Sequence, residues 1–120
     1  MKGVGTDLVD LNRFASVLER TPSIVERLFT DSERAYCEGA KRVERYAARF
    51  AAKEAALKAM GCGLGACSWR DIEVTRAKSG APSLRVAGRA AELAAERSVT
   101  SWHVSLSHDG NTATATVIAD

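Results

Sequence analysis

The stretch "RFAAKEAALKAMG", Arg49 to Gly61, limits the folds open to this chain more than any other. Alanine is the best helix former, and a closing glycine is the usual left-handed stop. The helix reads back to about Val43 and forward to Met60, with Gly61 ending it. Tyr46, Phe50 and Leu57 mark its buried stripe. Glu54 lies four residues after Phe50 and three before Leu57, on the shoulder of that stripe, and Lys58 is one turn further along. Lys53, Glu54 and Lys58 therefore interrupt an otherwise apolar surface. On this helix alone two readings stand. One is a solvated Glu–Lys pair worth about 0.3–0.5 kcal/mol. The other is a carboxylate at the edge of apolar packing that, with its lysine, holds a cation and a phosphate together.

The elements around the helix suit an α+β fold. "KGVGTDLVDL" alternates and reads as a strand with Asp7 near its end. "LNRFASVLER" carries Leu11, Phe14 and Leu18 at helical spacing, with Arg13 and Arg20 off that stripe. A turn at "TPS" and a short helical piece to Phe29 follow. Thr30 and Glu33 form a capping-box signature that starts a helix near Asp31, and Gly39 breaks it. "GCGLGACSW" is a loop. "DIEVTR" and "SLRVAG" flank "AKSGAP" as a hairpin, "RAAELAAERS" is a second alanine-rich helix, and "HDGN" joins the strands "SWHVSLS" and "TATATVIA". The order β-α-α-α-β-β-α-β-β predicts one domain over residues 1–120, a mainly antiparallel sheet packed on the long helix.

Composition removes several function classes. A net charge of +2 is too small to argue for nucleic acid or a membrane surface. The arginines cluster in residues 13–49, whereas the acids are scattered. Three cysteines, Cys37, Cys62 and Cys67, are an odd number without a disulfide framework, which suits a reducing compartment. Aspartate at position 7 interrupts any signal-peptide core, and no run reaches the ~18 apolar residues of a membrane span. A cytoplasmic location is the expectation.

Asp7 follows two glycines and sits in a strand-like run that disfavours aspartate. It reads either as a cap for the next helix or, paired with Glu54, as one of two hard oxygen ligands. Mg²⁺ takes one or two protein carboxylates and leaves its other positions to water and substrate phosphates. In "SLSHDGNT", His108 and Asp109 stand at a strand end where Asp109-Gly110 also supplies turn geometry. His103, inside the strand, reads as packed or hydrogen-bonded there. Cys62, Cys67, His103 and His108 imitate a zinc set, but a five-residue offset on a strand points the histidines to opposite faces. "GCGLG" follows a helix, whose C-terminal end is the wrong one for phosphate.

Three separated stretches resemble one family. "GVGTDLVDLNRF" is similar to the first motif of holo-acyl-carrier-protein synthases, G-[IV]-G-x-D-[IL]-x-x-x-x-R. "RFAAKEAALKA" matches their F-x-x-K-E-A-x-x-K motif, and "SWHVSLSHDGNTATATVIA" resembles their S-x-S-H strand pair. "DIEVTRAKSGAPSLRV" is similar to their hairpin, with G-x-P before its second strand. Threonine at position 6 and aspartate after His108 depart mildly from the pattern.

The resemblance implies transfer of 4′-phosphopantetheine from coenzyme A to a serine of an apo acyl carrier protein, releasing adenosine 3′,5′-bisphosphate, in fatty-acid or polyketide biosynthesis. It implies that Asp7 and Glu54 hold Mg²⁺ against the diphosphate, with Lys58 meeting a diphosphate oxygen. Arg49 and His108 are then candidates for the 3′-phosphate and adenosine end, Pro82 for the base, and Asp109 for supporting the metal shell. The serine's proton goes to Glu54, to Asp109 or to water held by the metal, the last favoured because a carboxylate already on Mg²⁺ is a weakened base. Arg13, Arg20 and Arg27 suit the acidic surface of a carrier protein, against the simpler reading of a solvated face. The resemblance also implies a homotrimer with active sites in clefts between subunits. Two alternatives keep parts of this pattern: a nucleotide pyrophosphohydrolase, which usually has denser acidic clusters, and a basic module binding RNA or an acidic protein. With 6% aromatics the chain is poor in stacking platforms for RNA.

Overall fold

In the computed structural model, which describes residues 1–120, strand β1 (Gly3–Asp10) lies directly against the long helix α4 (Arg42–Ala59). Between them come α1 (Leu11–Arg20), α2 (Ile24–Leu28) and α3 (Asp31–Cys37). After α4 follow a 3-10 turn (Trp69–Asp71), β2 (Ile72–Arg76), β3 (Pro82–Val86), α5 (Gly88–Glu96), β4 (Trp102–Asp109) and β5 (Thr112–Ala119). The expected α+β order holds, with the short piece before Phe29 forming a helix of its own, α2.

Local chemistry sets the boundaries. Asp10, not Asp7, caps α1: its carboxylate accepts from Arg13 N at 2.8 Å. Asp7 therefore lies inside β1 rather than near its end, and the capping alternative for it falls. Thr30 and Glu33 form the reciprocal capping box at α3. At the end of α4, Cys62 N bonds Leu57 O at 2.9 Å and Gly61 N bonds Lys58 O at 3.0 Å, with Gly61 at φ +69°. This is the two-bond glycine stop that the sequence predicts.

The main sheet is antiparallel, ordered β1-β5-β4, and β2 with β3 forms a separate antiparallel hairpin. The inner face of the main sheet covers α4 with Ala113, Ala115, Val117 and Ala119, all buried. The α4 stripe is wider than periodicity predicts. Tyr46 and Leu57 are buried, Phe50 is half-buried, and seven alanines face neighbours on several sides. No helix is long and apolar enough to cross a membrane. Odd positions of β4 face away from the helix, so His103, expected to be packed or hydrogen-bonded, is instead 63% exposed with Nε2 3.7 Å from Asp120 Oδ2.

The glycines of "GVG" explain the fit of β1 on α4. A Cβ on Gly3 would lie 1.9 Å from Ala59 O, and one on Gly5 would lie 1.9 Å from Ala55 O. Strand and helix backbones therefore meet with no side chain between them. Each two-residue step along β1 passes about one turn of α4, so the next inward residue, Asp7, meets the turn carrying Glu54. Gly5→Ala must push the strand off the helix. It is expected to cost about 3 kcal/mol, the upper end of overpacking penalties, in urea unfolding. Gly63→Ala, whose Cβ meets nothing within 4 Å, should change stability by less than about 0.5 kcal/mol.

Candidate active site

Asp7 and Glu54 converge, with Lys58 bridging the strand and the helix. Lys58 Nζ donates to Asp7 Oδ1 and to Thr6 O, each at 3.0 Å. Asp7 is only 12% exposed, while Lys58 is 54% exposed. Two of the three ammonium hydrogens are thus engaged, leaving one for a ligand. Asp7 Oδ2 is buried without a hydrogen-bond donor. The neighbouring Glu54 carboxyl can serve it only while it holds a proton. Glu54 does hold its proton unusually well: its pKa is pushed up to about 7 by burial, then by the Asp7 charge and the hydrogen bond to Asp7, against the pull of Lys58. Glu54 also lines a mostly apolar cleft of about 280 Å³ whose walls include Leu8, Phe14, Val17, Ile24 and Phe50.

An orphaned carboxylate oxygen facing a reluctant acid fits a hard divalent cation, which would satisfy the first and ionise the second. No group of three His, Cys, Asp or Glu side chains is assembled anywhere. A two-carboxylate site suits an ion that completes its shell from water and phosphate. Asp109 is outside it within one chain. It stands at the exposed end of β4, opposite Thr112 of β5, which also faces Asp10 on the other side.

A second, basic site lies on another face of α4. Arg49, Pro82, Arg76 and Gly80 line a cleft of about 280 Å³. An adjoining cleft of about 240 Å³ adds Tyr36, Lys41, Arg45 and His108, with Glu44 the one carboxylate in its wall. Arg49 is almost fully buried, its Nε has no acceptor, and burial holds its pKa below the usual guanidinium value. The guanidiniums of Arg45, Arg49 and Arg76 lie 4.4, 4.3 and 4.7 Å from the Tyr36 ring centroid, whose π-system offsets part of their repulsion. Such a cluster suits phosphate.

Arg49, Pro82 and His108 are thus brought together, as are Asp7, Glu54 and Lys58. Five residues separate Arg49 from Glu54, however, so they point about 140° apart on α4. Arg13 joins the wall of the apolar cleft, and Arg13, Arg20 and Arg27 are all exposed. Sequence reasoning missed Tyr36, Arg45 and Arg76. Arg76 was within reach, because the hairpin register pairs it directly with Pro82. Lys53, grouped in sequence with Glu54, is fully buried against Glu33.

The raised Glu54 pKa has a definite sign. The folded state binds the extra proton, so the stability it brings is complete below the ordinary 4.5 and is lost as pH rises through about 7. In chelator, the melting temperature should therefore fall across that window. Glu54→Gln should flatten this part of the profile, and Mg²⁺ or Mn²⁺ should restore stability at pH 8 only when Glu54 is present.

The family model described as the 4′-phosphopantetheinyl transferase superfamily matches residues 3–117. The chain is 52% identical over 118 residues to the holo-[acyl-carrier-protein] synthase of Frankia alni, covering 98% of this chain and 96% of that protein. It is 50% identical over 119 residues to the Streptomyces griseus protein of the same name, covering 98% and 97%. Among solved structures it superposes on holo-[acyl-carrier-protein] synthase from Neisseria meningitidis with a TM-score of 0.91 at 31% identity, covering 100% and 98% of the two chains. The Helicobacter pylori synthase in complex with coenzyme A gives 0.87 at 28% identity, covering 98% and 99%. With a family model over residues 3–117, relatives about half identical along its length and the same fold, the chain belongs to the holo-acyl-carrier-protein synthase family of 4′-phosphopantetheinyl transferases.

Proposed function

We propose that this enzyme transfers 4′-phosphopantetheine from coenzyme A to a serine of an apo acyl carrier protein in a Mg²⁺-dependent reaction, leaving adenosine 3′,5′-bisphosphate. Fatty-acid biosynthesis is the setting we infer for it, and the cytoplasm its compartment. The observation that carries the reading is the meeting of Asp7, Glu54 and Lys58 across two elements far apart in the chain.

Asp7 and Glu54 would hold the Mg²⁺. Bound there, the ion supplies polarisation of the diphosphate oxygens and neutralises charge that builds on them. Lys58, tethered to Thr6 O and Asp7, offers its remaining N–H to a diphosphate oxygen. Arg49, Arg76 and His108 are suited to the 3′-phosphate and adenosine end, with Pro82 beside the base. The roughly 140° between Arg49 and Glu54 around α4 means one chain does not present both sites to one compact ligand. This supports a site shared between subunits, with coenzyme A between the carboxylates of one and the basic cleft of its neighbour, in an assembly we propose to be a homotrimer. The outer face of β1 is consistent with such an assembly, because Val4 and Leu8 are 56% and 69% exposed there.

The carrier protein meets the α1 side in this reading. Arg13 stands at the apolar cleft that ends on Glu54, so an acidic helix registering on Arg13, Arg20 and Arg27 could seat an apolar side chain beside the carboxylates. Incubation with coenzyme A, Mg²⁺ and apo carrier should add a phosphopantetheine mass to the carrier by mass spectrometry, lost with chelator and in Asp7→Ala. Nucleotide hydrolysis with no gain on any carrier would overturn the proposal. Arg13→Glu should raise KM for the carrier by about tenfold, the equivalent of ~1.4 kcal/mol, while leaving KM for coenzyme A unchanged.

A further inference from the structure

Glu54 meets Asp7 only if α4 holds one rotation and one height against β1. Tyr46 packs on Phe29 and Phe50 on Phe14 and Trp69, but where α4 meets the main sheet its packing is weak at specifying an orientation. Seven alanines and the two facing glycines meet as nearly smooth surfaces, and such surfaces offer few knobs to stop the helix rotating or sliding. One polar anchor enters this region from the middle of the helix. Lys53 is fully buried, and its Nζ donates to Glu33 Oε1 at 2.8 Å, to Trp69 O at 3.1 Å and to Ile72 O. Glu33 is itself fixed: Oε1 accepts from Thr30 N at 3.0 Å and Oε2 from Val74 N at 2.9 Å. The ammonium thus joins α4 to the start of α3, the 3-10 turn and β2. Glu54 is the very next residue, about 100° around and 1.5 Å along the helix.

We infer that the buried Lys53–Glu33 pair is a positioning device that sets the rotation and height of α4, so that Glu54 meets Asp7. Buried ion pairs are poor sources of net stability, and their best-attested use is to specify register. Lys53 touches neither metal nor substrate in this account. It acts through the helix, and the inference rests on Asp7 and Glu54 being the metal carboxylates.

The test measures Mn²⁺ binding directly by electron paramagnetic resonance titration, with no coenzyme A and no turnover. The double variant Lys53→Met/Glu33→Gln removes the charges together, avoiding a lone buried carboxylate. Leu93→Ala in α5, a buried position that supplies no group to the carboxylate site or to the Lys53–Glu33 pair, serves as a control that loses stability alone. The dissociation constant should rise by about 10–100-fold in the double variant, as for other groups supporting metal ligands, and stay unchanged in Leu93→Ala. A double variant that is folded by circular dichroism and binds Mn²⁺ as the parent does would overturn the inference. Should it not fold, Glu33→Asp keeps the charge and withdraws the carboxylate by one methylene. A rise is again expected, and parental affinity again refutes. Asp7→Asn separates the two layers: unchanged Mn²⁺ affinity there removes the carboxylate site itself, and lost affinity with a normal double variant removes only the role of Lys53.

Discussion

Everything at the carboxylate site depends on the distance between two backbones. Because Gly3 and Gly5 carry no side chains, β1 settles onto α4 until a Cβ on either glycine would lie 1.9 Å from a helix carbonyl. That contact brings a carboxylate from the fifth position of β1 within reach of one from the fourth turn of α4. Side chains at positions 3 and 5 would hold the strand away, and Asp7 and Glu54 could no longer perturb each other. The close approach of "GVG" is thus an approach to protein backbone, and it sets Asp7, two residues on, beside Glu54.

The molecule then keeps two incompatible charge environments on a single helix. Around Glu54 two acids share the pull of one exposed lysine, which leaves Glu54 half-ready to stay protonated. Around Arg49 three guanidiniums gather about one tyrosine ring, with few anions near them. Each cluster gathers like charges at close range, and a counter-charge, a cation in one case and phosphate in the other, would relieve the repulsion. The faces are separated by the buried Lys53–Glu33 pair, whose charges satisfy one another and two backbone carbonyls.

Much of this was legible before any coordinates. The alanine run, the glycine stop, the Thr30–Glu33 capping box and the "HDGN" hairpin are short-range signals, decided by propensity and hydrogen bonds within a few residues. The pairing of Asp7 with Glu54 was also readable, from ligand chemistry and from the family motifs together. Long-range packing was less visible. Lys53 has the sequence profile of a surface lysine, and nothing within five residues signals that Glu33 and two carbonyls await it. Tyr36, Arg45 and Arg76 belong to three elements, and no periodicity links them.

The sequence by itself determined the elements, their ends and the kinds of charge available, because those follow from each residue's own backbone and side-chain preferences. Only the tertiary structure decided which charges are buried, which meet, and which stand unpaired. That is a matter of desolvation and distance, and both exist only once the chain has closed around α4.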